Sequence, residues 1–131
     1  MRTMKMDMAG SGVVIGVMKT VAALRPDVDV HGLIAASENM TGPAAYKPDD
    51  VFTAYNGKTV EVINTDAEGR LVLSDALSYA AELGVDEIID LATLTGACMV
   101  GLGSYTAGIM GNNQKLVKRV LEAAERVGEK I

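Results

Sequence analysis

Apolar residues recur at helical spacing in three stretches of the chain. These are residues 8–24, 71–83 and 114–127, and residues that end helices follow them, namely Pro26, Gly84 and Gly128. Asn113 stands where a residue that caps the last helix belongs. Glycines within the first stretch indicate close packing of that helix against other backbone. The pattern therefore predicts three helices, the first of them strongly apolar.

Shorter apolar runs between these stretches predict strands. A short strand is predicted at residues 28–36 and buried strands at 87–91 and 106–110, and a loop is predicted at 38–50. The dipeptide Asn56-Gly57 lies between two further β-prone runs, Val51–Tyr55 and Lys58–Ile63, which predicts a hairpin with positive φ at both turn residues. Helices that alternate with strands predict an α/β fold with a partly parallel mixed sheet flanked by helices.

The composition limits the classes of function. The chain has 131 residues, 49% hydrophobic and 22% charged, which suits one folded domain and excludes disorder. A net charge of −5 argues against nucleic acid or an acidic membrane as the main partner. The single cysteine, Cys98, excludes an internal disulfide, and the single histidine, His31, excludes a poly-histidine site. Any metal must therefore be held mainly by carboxylates.

No segment is predicted to direct the chain to a membrane. The N-terminal residues lack a signal core, and the uncharged run 91–114 is interrupted by five glycines. We read that run as strand, loop and strand rather than as a spanning helix. A cytoplasmic location is the expectation, with Cys98 as an inert buried thiol.

Candidate chemistry is concentrated in one segment, Asn64-Thr65-Asp66-Ala67-Glu68-Gly69-Arg70-Leu71, between a predicted strand and a predicted helix. If the segment is extended, Asp66, Glu68 and Arg70 point to one side. The two carboxylates could then bind a cation and the guanidinium could stabilise a developing anion. Alternatively, Thr65 and Glu68 form a capping box and acids in a first helical turn complement the helix dipole, so that capping alone explains both carboxylates. Arg70 fits a helix N-terminus poorly, which favours a functional interpretation.

Other candidates have structural alternatives. Asp7 precedes the apolar helix and is either its N-cap or an acid that needs a partner or a metal. His31 has no acid or serine at a spacing that would indicate a catalytic partner, so we interpret it as structural. The Gly10-x-Gly12 and Gly101-x-Gly103 pairs lack a phosphate-binding fingerprint and are interpreted as packing glycines.

The octapeptide 64–71 resembles the signature of the leucine aminopeptidase family, the cytosol aminopeptidases. The resemblance extends along nearly the whole chain, through Met4-Lys5-Met6-Asp7-Met8, Glu38-Asn39-Met40, Tyr46-Lys47-Pro48-Asp49-Asp50-Val51 and Leu91-Ala92-Thr93-Leu94-Thr95-Gly96-Ala97. It implies a two-metal exopeptidase that releases N-terminal residues, leucine and other apolar ones, from peptides. It also implies a cytoplasmic homohexamer.

The resemblance implies roles for individual residues. Asp7, Asp66 and Glu68 would bind two divalent cations, Mn²⁺ or Zn²⁺. Arg70 would be catalytic and would bind bicarbonate, the general base. The residues that contact the substrate would be Met4, Thr93, Leu94 and Gly96. The two cations would activate a water and polarise the scissile carbonyl, and one would hold the free amino group of the peptide.

The chain departs from the family pattern in extent. Members are several times longer, with a separate N-terminal domain and a segment before Asp7 that supplies a metal-binding lysine, an aspartate and a catalytic lysine. Ala9-Gly10-Ser11 stands where members have Gly-Gly. We therefore expect residues 1–131 to form part of a catalytic domain that self-associates. The alternatives are an inactive folded fragment or assembly module, and a DNA-binding protein, which the acidic pI of about 4.8 disfavours.

Overall fold

The computed structural model describes residues 3–131 as two compact units, one reaching Leu94 and the other spanning Thr95–Ile131. The first unit contains helices α1 (Ala9–Leu24) and α2 (Glu68–Glu82) and strands β1 (Val51–Thr53) and β2 (Thr59–Glu61). The second contains helices α3 (Ala97–Leu102) and α4 (Gln114–Val127). Short 3₁₀ turns at Met4–Met6 and Thr65–Ala67 precede α1 and α2.

Helix α1 confirms the strongest prediction from the sequence. Val14, Met18 and Val21 form its half-buried face, at the spacing of successive helical turns. The side chain of Met18 packs against Gly32, where an added β-carbon would lie 2.6 Å from Met18 Cγ. The helix ends at Arg25, whose left-handed backbone (φ 48°) lets its N–H donate to the Val21 carbonyl at 2.8 Å.

The predicted hairpin forms, but its turn differs from the one expected. Strands β1 and β2 pair antiparallel, with Val51 opposite Glu61 and Thr53 opposite Thr59. Gly57 has φ +82°, whereas Asn56 does not have a positive φ. The Gly57 N–H donates to the Ala54 carbonyl and the Ala54 N–H to the Lys58 carbonyl, both at 2.8 Å. This is the three-residue loop in which glycine forms a bulge, so only one turn residue needs positive φ.

The hairpin loop is fastened to helix α2 by polar contacts. The Tyr55 N–H donates to Asp75 Oδ1 and the Tyr55 hydroxyl to Glu82 Oε2, both at 2.8 Å. Asn56 Nδ2 donates to Ser78 Oγ at 3.0 Å. Of the described residues in this unit, only Ala54, Val62 and Ala80, all small or medium-sized, are buried. The unit is therefore held by hydrogen bonds around a small core.

In the second unit, helix α4 begins and ends where the sequence predicts. Asn113 Oδ1 accepts from the N–H groups of Lys115 and Leu116 at 3.1 and 3.2 Å, and Gly128 (φ +76°) ends the helix. Ala124 is its buried residue. Cys98 is only half-buried, so the prediction of a buried thiol is wrong.

The predicted parallel part of the sheet is not confirmed. The only sheet among residues 3–131 is the antiparallel pair β1–β2, and 28–36, 87–91 and 106–110 contain no strand. A strand exists only where its backbone pairs with a neighbour, and the sequence of a single run cannot show whether a neighbour is in reach. Ile89 is 57% exposed, so residues 87–91 are not the buried segment predicted.

One helical stretch, Met4–Leu24, is by length and composition apolar enough to cross a bilayer. Core helices of soluble proteins and signal sequences share these properties. The uncharged run 91–114, predicted as strand, loop and strand, contains the short helix α3 and no strand.

Candidate functional site

The segment 64–71 forms a 3₁₀ turn followed by the first residues of α2. Asn64 caps this turn, because its Oδ1 accepts from the Asp66 N–H at 2.9 Å. Ala67 occupies the N-cap position of α2 and supplies no side-chain hydrogen bond. The predicted Thr65–Glu68 capping box is therefore wrong, because the extra turn shifts the start of the α-helix and Asn64 takes the capping role.

Asp66, Glu68 and Arg70 do not converge in the way that an extended segment would require. Glu68 and Arg70 are both in α2, where residues two apart are separated by about 200° around the axis. The half-buried Glu68 side chain contacts the loop 38–50, whereas Arg70 lines a shallow depression of about 290 Å³ with residues that include Ile63. Alternate residues of the segment do not point to one side, because the segment is helical.

The loop 38–50 is joined to the 3₁₀ turn by three hydrogen bonds. Asn39 Nδ2 donates to the Thr65 carbonyl oxygen at 2.8 Å and to Glu68 Oε2 at 2.9 Å. The Tyr46 hydroxyl donates to the same Thr65 oxygen at 2.5 Å. All three contacts are part-buried, and they bridge 19 to 29 positions of sequence. The 3₁₀ turn is therefore held both by the loop 38–50 and by its own cap, Asn64.

Two carboxylates give this place a negative potential. Desolvation raises the pKa of the Tyr46 phenol above its ordinary value, and the charges of Glu68 and then Asp66 raise it further. Both carboxylates thus act on one phenol oxygen. A cation bound beside them would be stabilised by the same field.

Asp7 lies immediately after the Met4–Met6 turn, and Met4 is 36% exposed. The alternative of Asp7 as an N-cap is wrong, because Met8 occupies the N-cap position of α1 and the Ser11 hydroxyl donates to its carbonyl at 2.6 Å. The Asp7 side chain is exposed and makes no hydrogen bond or ion pair within residues 3–131. A structural role does not account for this acid.

The remaining predicted contacts of the substrate fall in both units. Thr93 and Leu94 are exposed and lie outside helices and strands at the end of the first unit. A β-carbon built on Gly69 would lie 3.8 Å from Leu94 Cδ1, so Leu94 packs beside the start of α2. Gly96, at the N-cap position of α3, belongs to the second unit.

The described residues offer oxygen donors near the 3₁₀ turn but no assembled metal site. Carboxylate oxygens are the donors that hard and borderline cations take, so the neighbouring Asp66 and Glu68 fit such an ion. Across the part of the chain that the structure describes, however, no three His, Cys, Asp or Glu side chains are grouped to hold a metal. A complete ligand set needs donors beyond this pair.

Asn39 and Tyr46 are functional candidates that no motif or spacing in the sequence singles out. They lie in a segment correctly predicted as a loop, so no periodicity marked them. Each carries a strong hydrogen-bond donor, an amide or a phenol, but the sequence of the loop does not show which acceptor that donor reaches.

Carboxylates at the start of a helix, one of them oriented by a separate loop, can serve as oxygen donors to a cation, as in metal-dependent hydrolases. The catalytic-domain profile of the cytosol aminopeptidase family matches residues 1–131, and the chain belongs to that family. The resemblance seen in the octapeptide is thereby confirmed.

Individual relatives agree with this assignment. A probable cytosol aminopeptidase of Sulfurihydrogenibium sp. is 58% identical over 129 residues, covering 98% of this chain and 26% of that protein. One from Aquifex aeolicus is 57% identical over 131 residues, covering 100% and 27%. A solved mutant of tomato leucine aminopeptidase superposes with a TM-score of 0.94 at 54% identity, covering 98% of this chain and 26% of that one. The chain thus spans about a quarter of the length of these relatives.

Proposed function

We propose that this chain contributes part of the active site of a metal-dependent aminopeptidase, which releases leucine and other apolar residues from the N-termini of peptides. The observation that carries the proposal is the Asp66–Glu68 pair on a turn fixed by Asn39. It is supported by membership of the cytosol aminopeptidase family and by the name of the tomato leucine aminopeptidase.

The proposed roles follow the family resemblance. Asp66 and Glu68, with Asp7, act as ligands of two divalent cations, Mn²⁺ or Zn²⁺. Such cations, when bound, supply an activated water and a polarised carbonyl. Arg70 carries the positive charge that steadies an anion, bicarbonate or the oxyanion of the substrate. Met4, Thr93, Leu94 and Gly96 contact the peptide.

The alternative is that residues 1–131 alone are an inactive folded part of a catalytic domain or an assembly module. Two observations favour it for the isolated chain. No three-donor cluster exists among residues 3–131, and large apolar side chains such as Ile15 and Val100 are 59% and 90% exposed. These surfaces also support the proposal that the protein works as a homo-oligomer, a hexamer as the resemblance implies. A cytosolic location is proposed from the names of the relatives.

Hydrolysis of leucine p-nitroanilide with Mn²⁺ tests the function. The chain is assayed alone and as expressed from its complete open reading frame, each beside a Glu68→Ala variant. The matched control is Glu82→Ala, at the far end of the same helix. We expect the complete protein to lose activity on Glu68→Ala by at least about 100-fold and to keep it on Glu82→Ala.

The outcomes of these assays distinguish the proposed aminopeptidase from the alternative of an inactive module. Activity of the complete protein with none in the isolated chain supports the proposal and shows that 131 residues are insufficient. Equal activity of wild type and Glu68→Ala would refute the assignment of the site. No activity in the complete protein would refute the enzymatic proposal.

A further inference from the structure

We propose that Asn39 is a positioning residue, which holds the Glu68 carboxylate at the start of α2 through one oxygen and leaves the other free for a ligand. The inference deepens the proposed function and rests on it. Its basis is the pair of hydrogen bonds that Asn39 Nδ2 makes to Glu68 Oε2 and to the Thr65 carbonyl oxygen.

The geometry uses the full donor capacity of the amide. The NH₂ group of an asparagine has two protons, and Asn39 has two acceptors, at 2.8 and 2.9 Å. Because both partners are acceptors, the opposite orientation of the amide would place oxygen against oxygen, so the orientation is determined. The Asn39 side chain therefore sets the Glu68 carboxylate relative to the backbone of the turn.

The Tyr46 hydroxyl also donates to the Thr65 carbonyl oxygen and so helps to hold the backbone to which Asn39 connects Glu68. The Thr65 carbonyl oxygen accepts from both Asn39 and the Tyr46 hydroxyl, and a carbonyl oxygen has two lone pairs with which to accept them. The Thr65 carbonyl is thereby held from two positions of the loop 38–50. Asn39 connects this held carbonyl directly to Glu68.

The neutral character of the donor matters for what Glu68 can do. A lysine or arginine at position 39 would neutralise the carboxylate, and an aspartate would repel it. An amide orients Glu68 without reducing its charge. Oε2 is occupied by Asn39, and Oε1 makes no hydrogen bond with residues 3–131. A carboxylate oriented by a neutral donor, with one oxygen left open, suits a ligand of a cation.

The test compares Asn39→Asp with Asn56→Asp in the protein from the complete open reading frame. Asn56 also donates through Nδ2 to a residue of α2, Ser78, at 3.0 Å, so the control makes the same chemical change away from the turn. We expect Asn39→Asp to lower kcat on leucine p-nitroanilide by about 10- to 100-fold with KM within about twofold. Asn56→Asp should leave both constants within about twofold.

A second variant separates positioning from charge and from misfolding. Asn39→Ala removes both hydrogen bonds without adding a carboxylate, and circular dichroism with thermal melting checks the fold of each variant. The expected loss of kcat is again at least tenfold. If folded Asn39→Ala keeps the wild-type kcat, the inference is overturned, and it is equally overturned if Asn56→Asp loses as much as Asn39→Asp.

Binding of Mn²⁺, followed by electron paramagnetic resonance, gives a readout independent of turnover. We expect Asn39→Ala to weaken Mn²⁺ at least about tenfold relative to wild type. If wild type is inactive yet binds Mn²⁺, the proposed function fails while the tenfold loss still supports the role of Asn39. Unchanged affinity in Asn39→Ala, or no binding by wild type, overturns the inference.

Discussion

Gly10 of helix α1 lies directly against the backbone of Leu91, since an added β-carbon would lie 1.9 Å from the Leu91 carbonyl oxygen. That distance is far inside van der Waals contact, and backbone cannot rotate away as a side chain can. Helix α1 and residues 91–92 therefore touch through backbone, immediately before the predicted substrate contacts Thr93 and Leu94.

Replacement of Gly10 by alanine should destabilise the first unit. The helix must move away from residue 91, and overpacking of this kind costs about 1–3 kcal/mol. Gly12→Ala is the matched control, because nothing lies within 4 Å of its added β-carbon. Its free energy of unfolding should rise by roughly 0.5–1 kcal/mol, as expected for alanine in a helix. Urea unfolding measures both, and equal stability of the two variants would contradict the close approach.

Removal of the Asn113 cap should weaken helix α4. Its Oδ1 accepts two N–H groups of the first turn, and Asn113→Ala should lower the free energy of unfolding by about 1 kcal/mol. Asn112→Ala is the control, since Asn112 forms no cap. Helical content by circular dichroism should fall at lower urea concentration for Asn113→Ala alone. A parallel shift for both variants would argue against the capping role.

The pKa of Asp50 should lie below its ordinary value of 3.8. The backbone N–H of Lys47, at 2.8 Å from Asp50 Oδ2, is the main cause, and the Lys47 side chain adds to it. Because the folded pKa is lowered, the carboxylate stabilises the fold above its unfolded pKa. This contribution is lost as pH falls through the lower, folded pKa.

A carbon-13 NMR titration of the Asp50 carboxyl measures this shift. Lys47→Ala should raise the pKa of Asp50 only part of the way to its ordinary value, because the backbone N–H of residue 47 still donates to the carboxylate. Asp50→Asn should destabilise the protein at neutral pH and match wild type at pH values below both pKa values. Asp49→Asn removes the same charge without that hydrogen bond and serves as the control. A full return of the pKa in Lys47→Ala would show that the ammonium, not the backbone, dominates.

The isolated chain should self-associate. Only four residues among those described are buried, all of them small or medium-sized, and large apolar side chains on every helix are exposed. Exposed apolar patches of this extent favour association. Sedimentation velocity should show species that grow with concentration, and a hydrophobic dye should bind. A monomer that binds no dye would contradict this expectation.

Local signals in the sequence predicted the helices well. Gly84 and Gly128 have the positive φ that ends a helix, and Asn113 supplies the expected cap. These outcomes depend on a few neighbouring residues, which the sequence displays directly. The family signature at 64–71 was likewise visible as a contiguous string.

Predictions that depended on distant partners were less successful. The segments 28–36 and 87–91 have a composition suited to strands, but they form none, because strand pairing depends on which backbone lies beside them in space. The contact between Asn39 and Glu68 joins positions 29 residues apart, and no pattern within either segment encodes it. The prediction that Asp66, Glu68 and Arg70 point to one side failed because the segment is helical, with Asp66 in the 3₁₀ turn and Glu68 and Arg70 in α2.

The loop 38–50 is anchored at Asn39, at Tyr46 and at the Lys47–Asp50 turn, whereas residues 40–44 between the first two anchors are exposed. Gly42 and Ala45 close a small turn there, with a hydrogen bond of 3.1 Å. Extra residues inserted at this turn would lengthen the loop without moving either anchor. An epitope or a fluorescent-label tag placed between Thr41 and Gly42 would therefore report from beside the carboxylate pair while leaving its supports in place.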